Sequence, residues 1–137
     1  MDISKLVNYE GTYTFSLLMP NSEEPTGITI EVRSSGSAAV RDMVLEHTDK
    51  QIERFAKRKL PTAVQGERSE IEKTAGCIVS WNWGNNPKTG EPNLFNGEVP
   101  ELTKKNAMEF VRLHWVYDQV SEAAGKVANF MSTSAKP

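Results

Sequence analysis

The side chains best suited to catalysis or metal binding are few in this chain and lie far apart. His47, Cys77 and His114 fall in three different segments, without the spacing that metal ligands show. A Cys–His nucleophilic pair would require Cys77 beside His114, yet Cys77 lies in a stretch that we predict to be the buried part of a helix. We therefore predict that Cys77 is a packing residue and that the chain binds no metal ion.

Neighbouring carboxylates and glycines do not form a reactive group either. Glu23 and Glu24 are adjacent, but they occupy a predicted loop tip, where two solvated charges perturb each other little. Gly84 and Gly90 are isolated and lack the strand before and the helix after that a phosphate-binding loop requires. The sequence indicates neither acid–base catalysis nor a cofactor site, and we predict that the protein is not an enzyme.

Length and charge favour a protein that acts on other proteins. The 137 residues suit one domain, 1–137. Because 16 Lys and Arg residues nearly balance 18 Asp and Glu residues, no global field attracts nucleic acid. Apolar runs are far shorter than the roughly 20 residues that span a bilayer, and residues 1–5 lack the parts of a secretion signal. We expect a cytoplasmic protein without membrane contact.

Two segments near the N-terminus alternate apolar and polar residues, as half-buried strands do. The apolar positions are Tyr13, Phe15 and Leu17 in the first segment and Ile28, Ile30 and Val32 in the second. Residues 19–27 between them contain two prolines and a glycine, which end both strands. We predict an antiparallel β-hairpin over 12–33, packed on helices because two strands alone are barely stable.

Helical spacing of apolar residues predicts about four helices after this hairpin. They span 38–60, 69–82, 103–114 and 116–131, and 132–137 form a tail. Thr103 is a suitable N-cap, and Pro61 ends the first helix. Residues 85–100, rich in Asn, Pro and Gly, predict a loop or a short irregular hairpin. The predicted fold class is therefore α+β, with the N-terminal hairpin packed on a mainly α-helical domain.

Aromatic residues are the best candidates for contact with a partner, since Trp and Tyr are enriched at protein interfaces. The candidates are Trp83, Phe95, Trp81, Trp115 and Tyr117. Packing of Trp81 against Trp115 in the core is an equally good interpretation of those two. Trp83 and Phe95 are therefore the stronger candidates for a contact surface.

Three stretches follow the N-terminal strand pair in a recognisable order. They are a helix that ends in AGCIVSWNW, the polar turn NPKTGEPNLFN, and the closing helices TKKNAMEFVRLHWVYDQVSEAAGKVANFM. Together these parts cover most of the chain. In this order they resemble the short product of the tail assembly chaperone genes of bacteriophages with long non-contractile tails.

The resemblance implies a protein that coats the long, helical, aggregation-prone tape measure protein in the bacterial cytoplasm and is absent from the mature virion. It also implies a longer form, made by translational frameshifting, that recruits the tail tube protein. Ala135-Lys136-Pro137 is compatible with a slippery codon run. Our mechanistic hypothesis is helix-in-groove capture by many weakly binding copies, which favours self-association into arcs, rings or spirals.

Two other functions stay open at this point. One is a structural head–tail connector or tail-terminator protein that remains in the virion. The other is a small nucleic-acid-binding regulator that uses the basic residues Arg54, Lys57, Arg58 and Lys59. Those residues are better explained as the last turn of the first predicted helix, where they complement its dipole.

Overall fold

The fold was analysed in a computed structural model, which describes residues 2–43 and 63–131, with side chains described from residue 69 onward in the second range. It is an α+β fold, as predicted. The strands are β1 (Thr12–Leu18), β2 (Pro25–Arg33) and β3 (Ile78–Asn82), and the helices are α1 (described over 38–43), α2 (Ala63–Gly76), α3 (Lys104–Val111) and α4 (His114–Gly125). Short 3-10 turns lie at Ile3–Lys5 and Val127–Phe130.

The predicted N-terminal hairpin is confirmed. β1 and β2 pair antiparallel, with Phe15 opposite Ile30, and the register shifts between Ser16 and Leu18. The alternating apolar positions of β2 are buried, as is Leu17 of β1. The opposite face carries exposed polar residues such as Thr14 and Ser16, so the sheet has one packed and one solvated face.

The predicted helix over 69–82 is wrong in its second half. α2 begins at Ala63 and ends at Gly76, and Ile78–Asn82 forms a third strand on the free side of β2. The Arg33 N–H donates to the Cys77 carbonyl oxygen at 2.7 Å, which starts this pairing. Burying Ile78 against the sheet favours the strand, since β-branched and aromatic residues suit a pleated surface.

The start of α1 agrees with the prediction, because the first helical residue is 38. The Ala38 N–H donates to the Glu10 carboxylate at 2.9 Å, so the helix is capped from the N-terminal segment. The remainder of the predicted 38–60 helix, with its basic end, lies outside the described residues. The predicted tail 132–137 also lies outside them.

The closing helices confirm the predicted break near His114. The Thr103 hydroxyl accepts the Asn106 N–H at 3.1 Å, which confirms the predicted N-cap, and α3 ends at Val111 before α4 begins. α4 stops at Gly125, where a helix to 131 was predicted, and a 3-10 turn follows. Val127, in this turn, is 51% exposed.

A single cluster of buried residues joins the packed face of the sheet to the helices. Its fully buried members include Ile30, Val32, Phe110, Val116 and Val120. α4 contacts β1 and β2, α2 contacts β3, and α3 packs on both α2 and α4. The helices therefore cover one face of the sheet.

Residues 83–103 form the predicted loop, which is fastened to the start of β2. The Asn93 side-chain amide donates to the Thr26 carbonyl oxygen at 2.8 Å and to the Trp83 carbonyl oxygen at 2.7 Å. Gly27 has φ of 91°, and a Cβ atom there would overlap the carbonyl oxygen of Asn85. The loop therefore approaches β2 at a distance that only glycine permits.

Replacing Gly27 with alanine should lower the free energy of unfolding by about 3 kcal/mol or more, because left-handed backbone strain adds to the overlap with Asn85. Gly90→Ala is the matched control: its φ is 71° but nothing lies near its Cβ position, so about 1 kcal/mol is expected. Urea unfolding monitored by circular dichroism measures both losses. Equal losses would contradict the close approach of loop and strand.

Candidate protein-binding surfaces

Four of the aromatic rings form one cluster around Phe110. The ring centroid of Phe110 lies 5.0 Å from that of Trp83, 5.7 Å from that of Trp81 and 5.9 Å from that of Phe95. The two tryptophans meet edge to face at 5.7 Å. The cluster thus joins β3, the loop that follows it, and α3.

Trp83 lies in the core of this cluster, with only 4% of its surface exposed. The prediction that it contacts a partner directly does not fit this position. Its Nε1 is buried and has no hydrogen-bond acceptor among the described residues. Trp83 borders a groove along β3, but only a small part of its surface is free for contact with a partner.

The other predicted contact residues, Trp81, Phe95, Trp115 and Tyr117, are half-buried and pack against the core. Trp81 and Phe95 belong to the aromatic cluster, whereas Trp115 has no aromatic partner among the described residues. The alternative in which Trp81 packs against Trp115 is therefore not what the structure has. Tyr117 borders a groove on the helical side.

That groove, the α2–α4 groove, has a volume of about 280 Å³. It is lined by Glu70, Ile71, Val111, Arg112, His114 and Tyr117. Its interior is apolar and its rim carries charges of both signs. Leu113, between α3 and α4 and next to the rim residues in sequence, is 38% exposed.

A second groove of about 520 Å³ follows the outer edge of β3. One wall is Ser80–Trp83 and the other is Val99–Leu102. We call it the β3 groove.

The loop places two exposed aliphatic residues beside the aromatic cluster. Phe95 pairs with Glu98 across a turn in which Asn96 and Gly97 both have positive φ, at 54° and 86°. This is the geometry of a two-residue type I′ hairpin. Leu94 and Val99, which flank it, are 51% and 58% exposed. Neither is among the predicted contact residues, although an Asn-Gly pair between apolar residues is a hairpin signal.

The titratable candidates do not converge on either groove. Cys77 is 2% exposed, and burial raises the pKa of its thiol to about 11, against weaker opposing effects of Lys73 and Arg33. His114 Nδ1 lies 3.2 Å from an Asp118 carboxylate oxygen, with both side chains largely exposed. Within the described residues no group of three or more His, Cys, Asp or Glu is placed to hold a metal ion.

Comparison with protein-family models, curated proteins and solved structures gives no match to this chain. Among the helices that the structure describes, none is long and apolar enough to cross a membrane. The function has to be inferred from the surfaces of the molecule and from the order of its sequence segments. The two grooves and the exposed aliphatic pair are the surfaces best suited to another polypeptide.

Truncating Trp83 to alanine should cost about 3–5 kcal/mol of unfolding free energy, because it empties the centre of the aromatic cluster. Leu94→Ala should cost less than about 1 kcal/mol, since its side chain is half exposed. Guanidinium unfolding of both variants measures these two losses of unfolding free energy, which should differ if Trp83 is a core residue and Leu94 a surface residue. Similar small losses would contradict a core role for Trp83.

The buried thiol predicts a specific loss of stability at alkaline pH. Above pH 9.0 an unfolded Cys77 loses its proton, while the folded thiol keeps it up to a pKa of about 11. The free energy of unfolding should therefore be unaffected by this group below pH 9.0 and fall by up to about 3 kcal/mol as pH rises to 11. Cys77→Ala should remove this part of the pH dependence of the free energy of unfolding. Equal losses of that free energy in the native chain and in the variant between pH 9.0 and 11 would contradict the prediction.

Proposed function

We propose that this chain is a tail assembly chaperone of a long-tailed bacteriophage. It binds helices of the tape measure protein in the host cytoplasm, keeps them soluble, and is displaced when tail-tube subunits assemble around them. The order of segments in the sequence supports this proposal, as does a helical side that carries an apolar groove.

The α2–α4 groove is the observation that carries the proposal. Helix-in-groove recognition needs an apolar floor for the buried stripe of the partner helix and polar flanks for its sides. Ile71 and Val111 supply the floor, and Tyr117 offers a large ring that is half exposed. Glu70 and Arg112 on the rim can pair with either sign of charge on a partner helix.

The small size of the groove suits a bound state that must be reversed. One copy that captures a few apolar side chains binds weakly, but many copies along one long partner gain avidity while each stays displaceable. A net charge of -2, from charges of both signs spread along the chain, keeps such assemblies soluble. Self-association into arcs, rings or spirals would align the copies along the partner.

The proposal includes a longer frameshifted form that recruits the tail tube protein, and absence of this chain from the finished particle. Mass analysis of purified virions tests the second point directly. A stoichiometric amount of the chain in the virion would favour a head–tail connector or tail-terminator protein instead.

Co-expression with the tape measure protein tests the groove. The native chain should keep the tape measure protein in the soluble fraction, and Tyr117→Lys should abolish most of this effect, because a charged side chain beside the apolar floor opposes its burial. Tyr9→Lys is the matched control, since Tyr9 is 46% exposed and does not border the groove. Both variants must first show native circular dichroism.

Equal solubility of the tape measure protein with and without the native chain would contradict the proposed function. Equal protection by the native chain and Tyr117→Lys would contradict the groove as the binding site.

A further inference from the structure

The two edge strands of the sheet differ in the hydrogen bonds that their outer backbone groups make. β1 and β3 both lie at an edge, because the strand order is β1-β2-β3. At β1 the Gln119 side chain accepts the Leu18 N–H at 2.8 Å and donates to the Leu18 carbonyl oxygen at 3.0 Å. This amide takes the place of a neighbouring strand at Leu18, the last residue of β1. Among the described residues no hydrogen bond reaches the outer edge of β3 and no strand pairs with it, so within that part of the chain the edge is open.

The open edge borders the β3 groove, which has the features that strand addition uses. An added strand binds through its backbone and places alternate side chains in neighbouring pockets. Val99 stands on the far wall with 58% of its surface exposed, and Trp81 lies half-buried on the near wall. Both give apolar surface to a side chain of the added strand.

The groove also favours one sign of charge. Glu101 is the only charged residue among the described residues that line it, and Glu98 directly precedes Val99 in the hairpin. Neither carboxylate lies within salt-bridge distance of a cation among the described residues. A segment that carries Lys or Arg would complement this charge, whereas an acidic one would be repelled.

Trp83 adds a donor that lacks an acceptor. It lines the groove, only 4% of its surface is exposed, and its Nε1 has no hydrogen-bond partner among the described residues. Buried donors without acceptors are rare in folded proteins. Trp83 is therefore a buried polar defect of the core that lies beside the groove.

We propose that β3 binds an extended, positively charged segment of a partner protein by strand addition, with Trp81 and Val99 packing on its aliphatic side chains and Glu101 pairing with its Lys or Arg. This surface shares no lining residue with the α2–α4 groove. The inference therefore holds whether or not the chain is a tail assembly chaperone.

The probe is an eight-residue synthetic peptide in which valine alternates with threonine between two terminal lysines. Titrated into the 137-residue chain, it should shift the amide NMR signals of residues 80–82, Val99 and Glu101 in a saturable manner. A second peptide with glutamate in place of lysine should bind about tenfold more weakly, since it places like charges beside Glu101. A third peptide, N-methylated at every second residue, should also bind about tenfold more weakly, because it cannot donate to the edge.

Two substitutions test the walls of the groove. Val99→Lys should weaken binding of the lysine peptide about tenfold, while Val127→Lys should leave it unchanged. Val127 is a fair control because it is 51% exposed and its 3-10 turn contacts β1, at the opposite edge. Glu101→Lys should reverse the preference, so that the glutamate peptide binds more tightly than the lysine peptide.

Several results would overturn the inference. They are undiminished binding of the N-methylated peptide, shifts confined to β1 or to the α2–α4 groove, an unchanged charge preference in Glu101→Lys, and no saturable shift while the chain stays folded. A dimer that sedimentation detects in the native chain and that is lost in Val99→Lys would also overturn it, because a second copy would then already occupy the edge of β3.

Discussion

Phe110 is the point at which three parts of the chain that are distant in sequence meet. It is 2% exposed, and its ring contacts Trp81 and Trp83 at the end of β3 and Phe95 in the loop. Burying such a side chain is worth on the order of 2–3 kcal/mol, and each well-oriented aromatic pair adds about 0.5–1.5 kcal/mol. The pairing of β3, the course of the loop and the position of α3 are therefore coupled.

Both candidate surfaces depend on this coupling. On one side of the cluster, Val111 follows Phe110 along α3 and enters the α2–α4 groove. On the other side, Phe95 fixes the Asn-Gly hairpin that holds Val99 opposite β3. The unpartnered N–H of Trp83 costs about 1–3 kcal/mol, and the large apolar area of the indole offsets that cost. The core thus tolerates one polar defect beside the surface most open to a ligand.

The sequence predicted secondary structure correctly where a single hydrophobic period, that of a strand or that of a helix, dominated a segment. Alternation over residues 28–33 predicted β2 correctly, and the three-and-four spacing from Ala107 to Ala124 predicted the buried faces of α3 and α4. β3 was missed because Ile78 and Val79 also continue the helical spacing of α2, and five residues are too few to separate the two periods. Only hydrogen bonding to β2, a long-range contact, decides between them.

The candidate surfaces were harder to predict than the fold for a related reason. Residue type indicates that tryptophan suits an interface, but Trp83 and Trp81 have the same type and differ in burial. Both contact Phe110, and Trp83 also packs against Phe95 of the loop. Val99 had no distinctive signal by itself, since an isolated aliphatic residue in a loop is common. Its exposure matters because the hairpin holds it across from an open strand edge.

The hydrogen bonds between the Gln119 side chain and Leu18 at the edge of β1 also limit how copies of this chain can associate. Joining β1 of one copy to β3 of the next would extend the sheet head to tail. Such an assembly closes into a ring only if the rotations between successive copies add up to a full turn. That arrangement would displace Gln119 and break both of its hydrogen bonds to Leu18, each worth about 1 kcal/mol. It would also have to fit the register shift of β1 at Ser16–Leu18 to a strand of five residues. The arcs, rings or spirals that we propose would therefore be better built through the helical side, which would leave β3 free for a different chain.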